Sequence, residues 1–232
     1  MRSNTVKTSS NSAIRNAFDI MLQLKGESGE EGLAALLRVR SPDSTSDVHC
    51  LVAPFNIIRS TATASLSLIS IKSHRLQVWT PLRDDWVRRA TSDAGRGVTI
   101  VELTASLAHL LMGWGVTSRD VTRDVATGQT VTKVWCTWNE DSESAMVEAI
   151  DSHSLRLSYN ESRENNAFVI NSAGQLVALI SCDTNDGWGT LLSDVVDNYM
   201  ADRDRQMRYC IRTVLVFCRE PIVRECLGKF FD

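Results

Sequence analysis

Residues 165–180 read NNAFVINSAGQLVALI, and this stretch decides the fold. Two apolar, β-branched segments, 168–171 and 175–182, flank the triplet Ser172-Ala173-Gly174. Glycine reaches the positive φ that a tight turn requires, so the pattern predicts two antiparallel strands joined as a hairpin.

Strand signals also dominate on both sides of this hairpin. Alternating or β-branched apolar runs occupy residues 18–25, 33–39, 48–52, 65–71, 75–79, 98–103, 130–138 and 154–159. Residues 105–112 predict a short helix or an irregular apolar segment, and helical spacing begins after Gly189. Many short strands separated by turns predict an all-β barrel or sandwich in two barrel-like halves, followed by a C-terminal helix.

The polar, charged stretch 113–128 separates the two halves. We expect five parts: a flexible tail at 1–16, a first barrel at 17–115, a connection at 116–129, a second barrel with its closing helix at 130–200, and a C-terminal interaction segment at 201–232. The alternative for the tail is a mitochondrial presequence, because no acidic residue of the chain precedes Asp19.

Composition narrows the function classes. The chain has 232 residues and a formal net charge of −3, which argues against direct nucleic-acid binding. No apolar run approaches the about 18 residues of a membrane span. The six cysteines include no CxxC pair and no zinc-ligand spacing, so we expect reduced thiols, no metal and no cofactor. We expect an intracellular protein of the cytoplasm or nucleus, with the mitochondrial matrix as an alternative.

The decisive hairpin resembles the nucleophile strand of trypsin-like serine proteases of the HtrA/Deg and FAM111 kind. Their pattern is GNSGGPLVN, followed by a glycine turn and an apolar strand. Aligned on Asn171 and Gly174, the nucleophile position is Asn165. The glycine positions of the oxyanion loop then fall on Arg163 and Asn166.

Three further segments resemble the same family in the correct order. Residues 51–58 (LVAPFNII) match the strand ending in L-T-x-x-H-V-V, which puts the histidine position on Asn56. Residues 97–101 (GVTIV) match the aspartate strand, with Gly97 at the aspartate position. Residues 189–200 are similar to the closing strand and helix. The resemblance implies an all-β fold of two six-stranded antiparallel barrels of trypsin-like type with a C-terminal helix.

A serine protease needs a hydroxyl nucleophile, an imidazole base and an orienting carboxylate. The resemblance places none of these groups at the three positions, which are Asn56, Gly97 and Asn165. Phe168 stands where the family has proline, and its ring is expected to block a substrate pocket. We therefore predict that the chain is not an enzyme, and that it binds proteins as a scaffold or subunit of an intracellular complex.

An active serine hydrolase is the alternative, with a non-standard triad of His49, Asp93 and Ser162. This register places Ser162 early relative to the hairpin and His49 at the start of its strand. The other histidines, including His109 and His153, are interpreted as surface or capping residues.

Two segments are candidates for partner binding. Trp86 lies within the charged stretch 82–96. Residues 224–231 (RECLGKFF) resemble a sliding-clamp-binding box, in which Leu227, Phe230 and Phe231 match the aliphatic and paired aromatic positions. A nucleic-acid-associated complex subunit that binds a sliding clamp through this segment is therefore a further alternative.

Overall fold

The computed structural model describes residues 21–26, 29, 31–40, 47–58, 65–68, 80–136, 140–158, 166–181 and 188–217. The chain divides into two units, Met1–Val195 and Val196–Asp232. Strands account for most of the regular structure in the first unit, as their alternating and β-branched sequences predict.

The N-terminal half forms an antiparallel sheet of seven described strands. They are β1 (Met21–Lys25), β2 (Glu31–Arg40), β3 (Asp47–Pro54), β4 (Ser65–Leu68), β5 (Thr80–Pro81), β6 (Val87–Asp93) and β7 (Val98–Leu103). Their order in the sheet is β5-β4-β1-β2-β3-β7-β6. In the centre, Leu51 of β3 is paired with Leu36 on one side and Val101 on the other, and all three side chains are fully buried.

The C-terminal half forms a closed barrel of six strands. They are β8 (Thr130–Cys136), β9 (Glu140–Ile150), β10 (Ser154–Leu157), β11 (Ala167–Ile170), β12 (Leu176–Ile180) and β13 (Trp188–Leu191). The predicted hairpin is the β11–β12 pair, and its turn contains Gly174 at φ +73°. Asn171 fixes the turn, because its Oδ1 accepts hydrogen bonds from the backbone N–H groups of Ala173 and Gln175.

The expected mostly-β architecture, one six-stranded barrel and the C-terminal helix are confirmed. The described residues of the first half form a seven-stranded sheet with β5 and β6 as its end strands, so the expected six-stranded barrel in this half is not confirmed. Sequence patterns locate strands but do not determine how many of them join one sheet, because pairing is a long-range property.

Two α-helices lie among the described residues, α1 (Ala105–Gly113) and α2 (Leu192–Phe217). Thr104 caps α1 by accepting a hydrogen bond from the backbone N–H of Leu107. Helix α2 continues beyond residue 200, where the closing helix was expected to end, and includes the β-branched stretch up to Phe217. Within the described residues, neither helix has both the length and the apolar character required to span a membrane.

Residues 119–122 connect the sheet to the barrel. The N–H of Arg38 donates to the carbonyl of Arg119, and the N–H of Thr122 donates to the carbonyl of Leu176. Arg38 also donates through Nε and Nη2 to the two carboxylate oxygens of Asp120, at 3.1 and 3.2 Å. This hydrogen-bonded ion pair lowers the pKa of Asp120 and raises the pKa of Arg38.

We expect Asp120→Asn to lower the free energy of unfolding at neutral pH by less than about 1 kcal/mol, because the pair is partly solvent-exposed. Since the pKa of Asp120 is depressed in the folded state, its stabilisation is present above the unfolded pKa. It is lost as the pH falls through the folded pKa. The free energies of unfolding of the wild type and Asp120→Asn, measured with urea, should therefore become equal in strong acid. Asp124→Asn serves as the control, and a pH-independent difference for Asp120→Asn would contradict the assigned role.

We expect Gly174→Ala to destabilise the fold by about 1–2 kcal/mol, because an L residue is strained at this positive φ. A Cβ atom would also lie 3.2 Å from Nη1 of Arg119. Gly113→Ala is the matched control, since a Cβ there meets nothing within 4 Å and φ is not positive. Denaturant unfolding measures both changes, and equal stabilities for the two variants would exclude strain at the hairpin turn.

Candidate functional site

Two positions implied by the family resemblance meet where the sheet and the barrel join. Asn56 lies in the turn after β3, and the N–H of Phe55 donates to the carbonyl of Gly97 at 2.9 Å. Asn166 immediately precedes β11, and its Nδ2 donates to Oδ1 of Asn56 at 3.3 Å. These two side chains are 110 residues apart in the sequence. We call Asn56, Gly97 and Asn166 the junction site.

Gly97 is closely packed at this site. It closes the β6–β7 turn at φ +67°, where its N–H donates to the carbonyl of Ala94. A Cβ atom at Gly97 would lie 3.2 Å from Cβ of Ser181, which is buried at the end of β12. On β13, Oγ1 of Thr190 donates to the carbonyl of Arg96 at 2.8 Å. The turn is therefore contacted by side chains of Thr190 on β13 and of Ser181, which follows β12.

The junction site contains two side-chain amides. Asn56 and Asn166 are each half-buried, and an amide offers both hydrogen-bond donors and acceptors. Arg96 precedes Gly97 in the sequence, and its backbone N–H and guanidinium both interact with Asp93. These groups can hydrogen-bond a polypeptide backbone. Residues Ser162, Arg163 and Asn165 lie outside the described part of the chain.

Phe168 does not occupy a substrate pocket, so the expectation that its ring blocks one is wrong. It is fully buried on β11, paired with Val134 of β8 and Leu179 of β12. The apolar ring gains more from burial between these strands than from exposure in a cleft.

The structure does not bring His49 and Asp93 together. Asp93 is paired with Val98, which is paired with Pro54 at the far end of β3 from His49. Five residues along an antiparallel strand correspond to about 16 Å. The Asp93 carboxylate instead accepts a hydrogen bond from the N–H of Arg96 within its own turn. The geometry thus gives no support to the triad of His49, Asp93 and Ser162.

His49 is a partly buried strand residue opposite Arg38. Burial lowers its pKa, and the nearby Asp47 partly opposes this shift. The positive charges of His109 and Arg38 lower the pKa further. The pKa of His49 is therefore lowered mainly by burial, as in a partly buried histidine of an inner strand.

Trp86 is half-buried and packs against the core of the first sheet. The guanidinium of Arg83 lies 5.6 Å from the centroid of its ring, a cation–π contact. The carbonyl of Trp86 also accepts from the N–H of Thr104. The charged stretch 82–96 contains a short 3₁₀ helix, Asp84–Trp86, and then strand β6. The other partner-binding candidates, Leu227, Phe230 and Phe231, lie outside the described residues.

Sequence reasoning missed a second polar cluster. Nδ1 of His153 lies 2.9 Å from Oδ2 of Asp194, and Nη2 of Arg123 donates to the other carboxylate oxygen. The sequence interpretation placed His153 as a surface or capping residue. The partners are 41 and 71 residues from Asp194, so no local motif marks them. Among the described residues, no group of three or more His, Cys, Asp or Glu side chains can hold a metal ion.

Comparison with known proteins identifies the fold class. Deg5 matches with a TM-score of 0.59 at 10% sequence identity, over 85% of this chain and 95% of Deg5. The Rv3671c protease of M. tuberculosis H37Rv, as a serine-to-alanine mutant in an inactive form, matches with a TM-score of 0.51 at 10% identity. That match covers 85% of this chain and 94% of Rv3671c. No family model and no curated protein matches the sequence.

The chain therefore has the fold of a trypsin-like serine protease domain. This finding corrects the prediction that the chain is not an enzyme: the solved structures that share its fold are serine proteases, and nothing among the described residues shows a degenerate site. The prediction depended on carrying single motif positions across a distant resemblance. A fold fixes neither the residues nor the chemistry of a site, so motif positions carried over from a distant family do not establish a degenerate site.

The close packing of Gly97 generates a double-mutant test. We expect Gly97→Ala to destabilise the protein by about 1–2 kcal/mol, from its positive φ and its contact with Ser181. Replacing Ser181 with glycine removes the contacting Cβ, so Gly97→Ala should cost less in that background. Chemical denaturation of the four proteins gives the coupling energy. An identical cost in both backgrounds would show that the two residues do not interact.

Proposed function

We propose that this chain is a trypsin-like domain that binds extended segments of partner proteins at the junction site, as a subunit of a protein complex. The observation that carries this proposal is the hydrogen bond between Asn56 and Asn166, which places two half-buried amides between the sheet and the barrel. The proposal takes the seven-stranded sheet as the counterpart of the first barrel of such domains.

Extended polypeptides present alternating N–H and C=O groups along each edge. The amides of Asn56 and Asn166 can exchange their mutual hydrogen bond for bonds to both kinds of group, because each amide donates and accepts. Main-chain hydrogen bonds then contribute affinity with little dependence on side chains, as in other cases of strand recognition. The support at Thr190 and Ser181 keeps the site in place before a ligand arrives.

We also propose that the complex is intracellular. Most of the cysteines lie in apolar or strand-like sequence, which favours buried, reduced thiols, and reduced cysteines are typical of the cytosol and nucleus.

The test uses the full chain and a phage library that displays random unstructured peptides. We expect enriched peptides to bind the wild type and to lose about tenfold in affinity with Asn56→Ala, because loss of an amide contact costs about 1.4 kcal/mol. Asn198→Ala is the matched control, since Asn198 is exposed on α2. Affinities can be measured by isothermal titration calorimetry.

Each outcome has a defined meaning. Equal affinity for the wild type and Asn56→Ala would place binding elsewhere and overturn the proposal. Loss of binding with both asparagine variants would indicate a general structural effect, which circular dichroism would detect. The titrated peptides should also be examined by mass spectrometry, because recovery of cleaved peptide would give the same site a hydrolytic role.

A further inference from the structure

A buried carboxylate contacts an exposed arginine and an exposed histidine at the beginning of helix α2. Asp194 lies in the first turn of α2, and its side chain is only 7% exposed. Arg123 and His153 are each 62% exposed, and each contacts a different oxygen of this carboxylate. His153 comes from the turn between β9 and β10, whereas Arg123 comes from the segment between the sheet and the barrel. These positions are distinct from Asn56, Gly97 and Asn166.

The carboxylate fixes the tautomer of His153. An ionised carboxylate can only accept hydrogen bonds, and the carboxylate of Asp194 also accepts one from the guanidinium of Arg123. Nδ1 of His153 therefore carries the proton that it shares with Asp194. In the neutral imidazole, the lone pair must then reside on Nε2. Since the side chain is mostly exposed, Nε2 is accessible to a small molecule.

The backbone around His153 is held firmly. Oδ1 of Asp151 accepts from the N–H groups of His153 and Ser154, at 2.8 and 2.6 Å. The carbonyl of His153 accepts from the N–H of Leu191 on β13 at 2.9 Å. These bonds fix the turn, and Asp194 then fixes the ring. An imidazole oriented in this way is prepared to act as a nucleophile or base.

We propose that His153 and Asp194 form a reactive site separate from the junction site. This site is a carboxylate–imidazole dyad that accepts acyl groups from small activated esters. The guanidinium of Arg123, on the same carboxylate, gives preference to esters that carry a negative charge. This activity is independent of peptide binding at the junction site.

The reaction balances with water as the second substrate. Nε2 attacks the carbonyl carbon and forms an N–C bond, while the aryl oxygen leaves with the electrons of the C–O bond. The ring keeps its Nδ1 proton, so Asp194 balances the positive charge of the acyl-imidazolium. Water then attacks the acyl carbon and the N–C bond breaks, which returns the neutral imidazole and forms the carboxylic acid. The remaining proton of the water passes to the released aryloxide or to solvent, so that one ester and one water give one acid and one phenol.

The first test compares hydrolysis of para-nitrophenyl acetate and para-nitrophenyl hemisuccinate by the full chain. We expect His153→Gln to lower the rate with both esters by about tenfold, because glutamine can donate to Asp194 but is not a nucleophile. Arg123→Gln should lower the rate of hydrolysis of the hemisuccinate more than that of the acetate. His109→Gln is the matched control, since His109 is exposed on α1. After subtraction of the hydrolysis that free imidazole produces without protein, added imidazole should still raise the rate with His153→Ala, which a purely structural role for His153 would not produce.

The second test requires no variant. Limiting diethyl pyrocarbonate is applied to the wild type, and peptide mass spectrometry ranks the histidines by their rate of modification. We expect His153 to react several-fold faster than His109, because Asp194 raises the electron density of its ring. If His109 reacts equally fast, or if His153→Gln and His109→Gln lose the same activity, the dyad has no special reactivity and the proposal is overturned.

Discussion

The backbone hydrogen bonds of residues 119–122 are the constraint on which the arrangement of the first unit depends. Arg119 is bonded to β2 of the sheet, and Thr122 is bonded to β12 of the barrel only three residues later. Buried backbone groups need partners, so this short segment cannot shift without losing bonds on both sides. The Arg38–Asp120 pair reinforces the same attachment. These bonds fix the position of the sheet relative to the barrel. In this arrangement Asn166 donates a hydrogen bond to Asn56.

Local chemistry explains which elements could be predicted from the sequence. The β11–β12 hairpin was predictable because Gly174 permits the turn and Asn171 supports it. Strand β7 was predicted at its observed bounds, since its six residues are all buried and mostly β-branched. The composition of the first sheet was not predictable, because it depends on pairings such as that between β3 and β7, about 50 residues apart. The helical conformation of residues 209–217 also overrides their β-branched composition.

The candidate sites also contain some features that the sequence predicts and others that it does not. The family resemblance implied that Asn56 and Gly97 lie close together, and the hydrogen bond from the N–H of Phe55 to the carbonyl of Gly97 agrees with this. Predicting chemistry from the same positions led to a wrong conclusion about enzymatic activity, because fold resemblance does not transfer function. The contact between His153 and Asp194 could not be found from sequence, since it joins a hairpin turn to a helix across 41 residues.

The two sites differ in physical design but share one support. Paired, half-buried amides can exchange hydrogen bonds with little loss of energy, which suits reversible binding. A buried carboxylate that orients an exposed imidazole suits proton or acyl transfer. Strand β13 serves both sites: Thr190 bonds to the carbonyl of Arg96 beside the junction site, and Leu191 bonds to the carbonyl of His153. Because these residues are consecutive, a shift of β13 would alter the junction site and the dyad together.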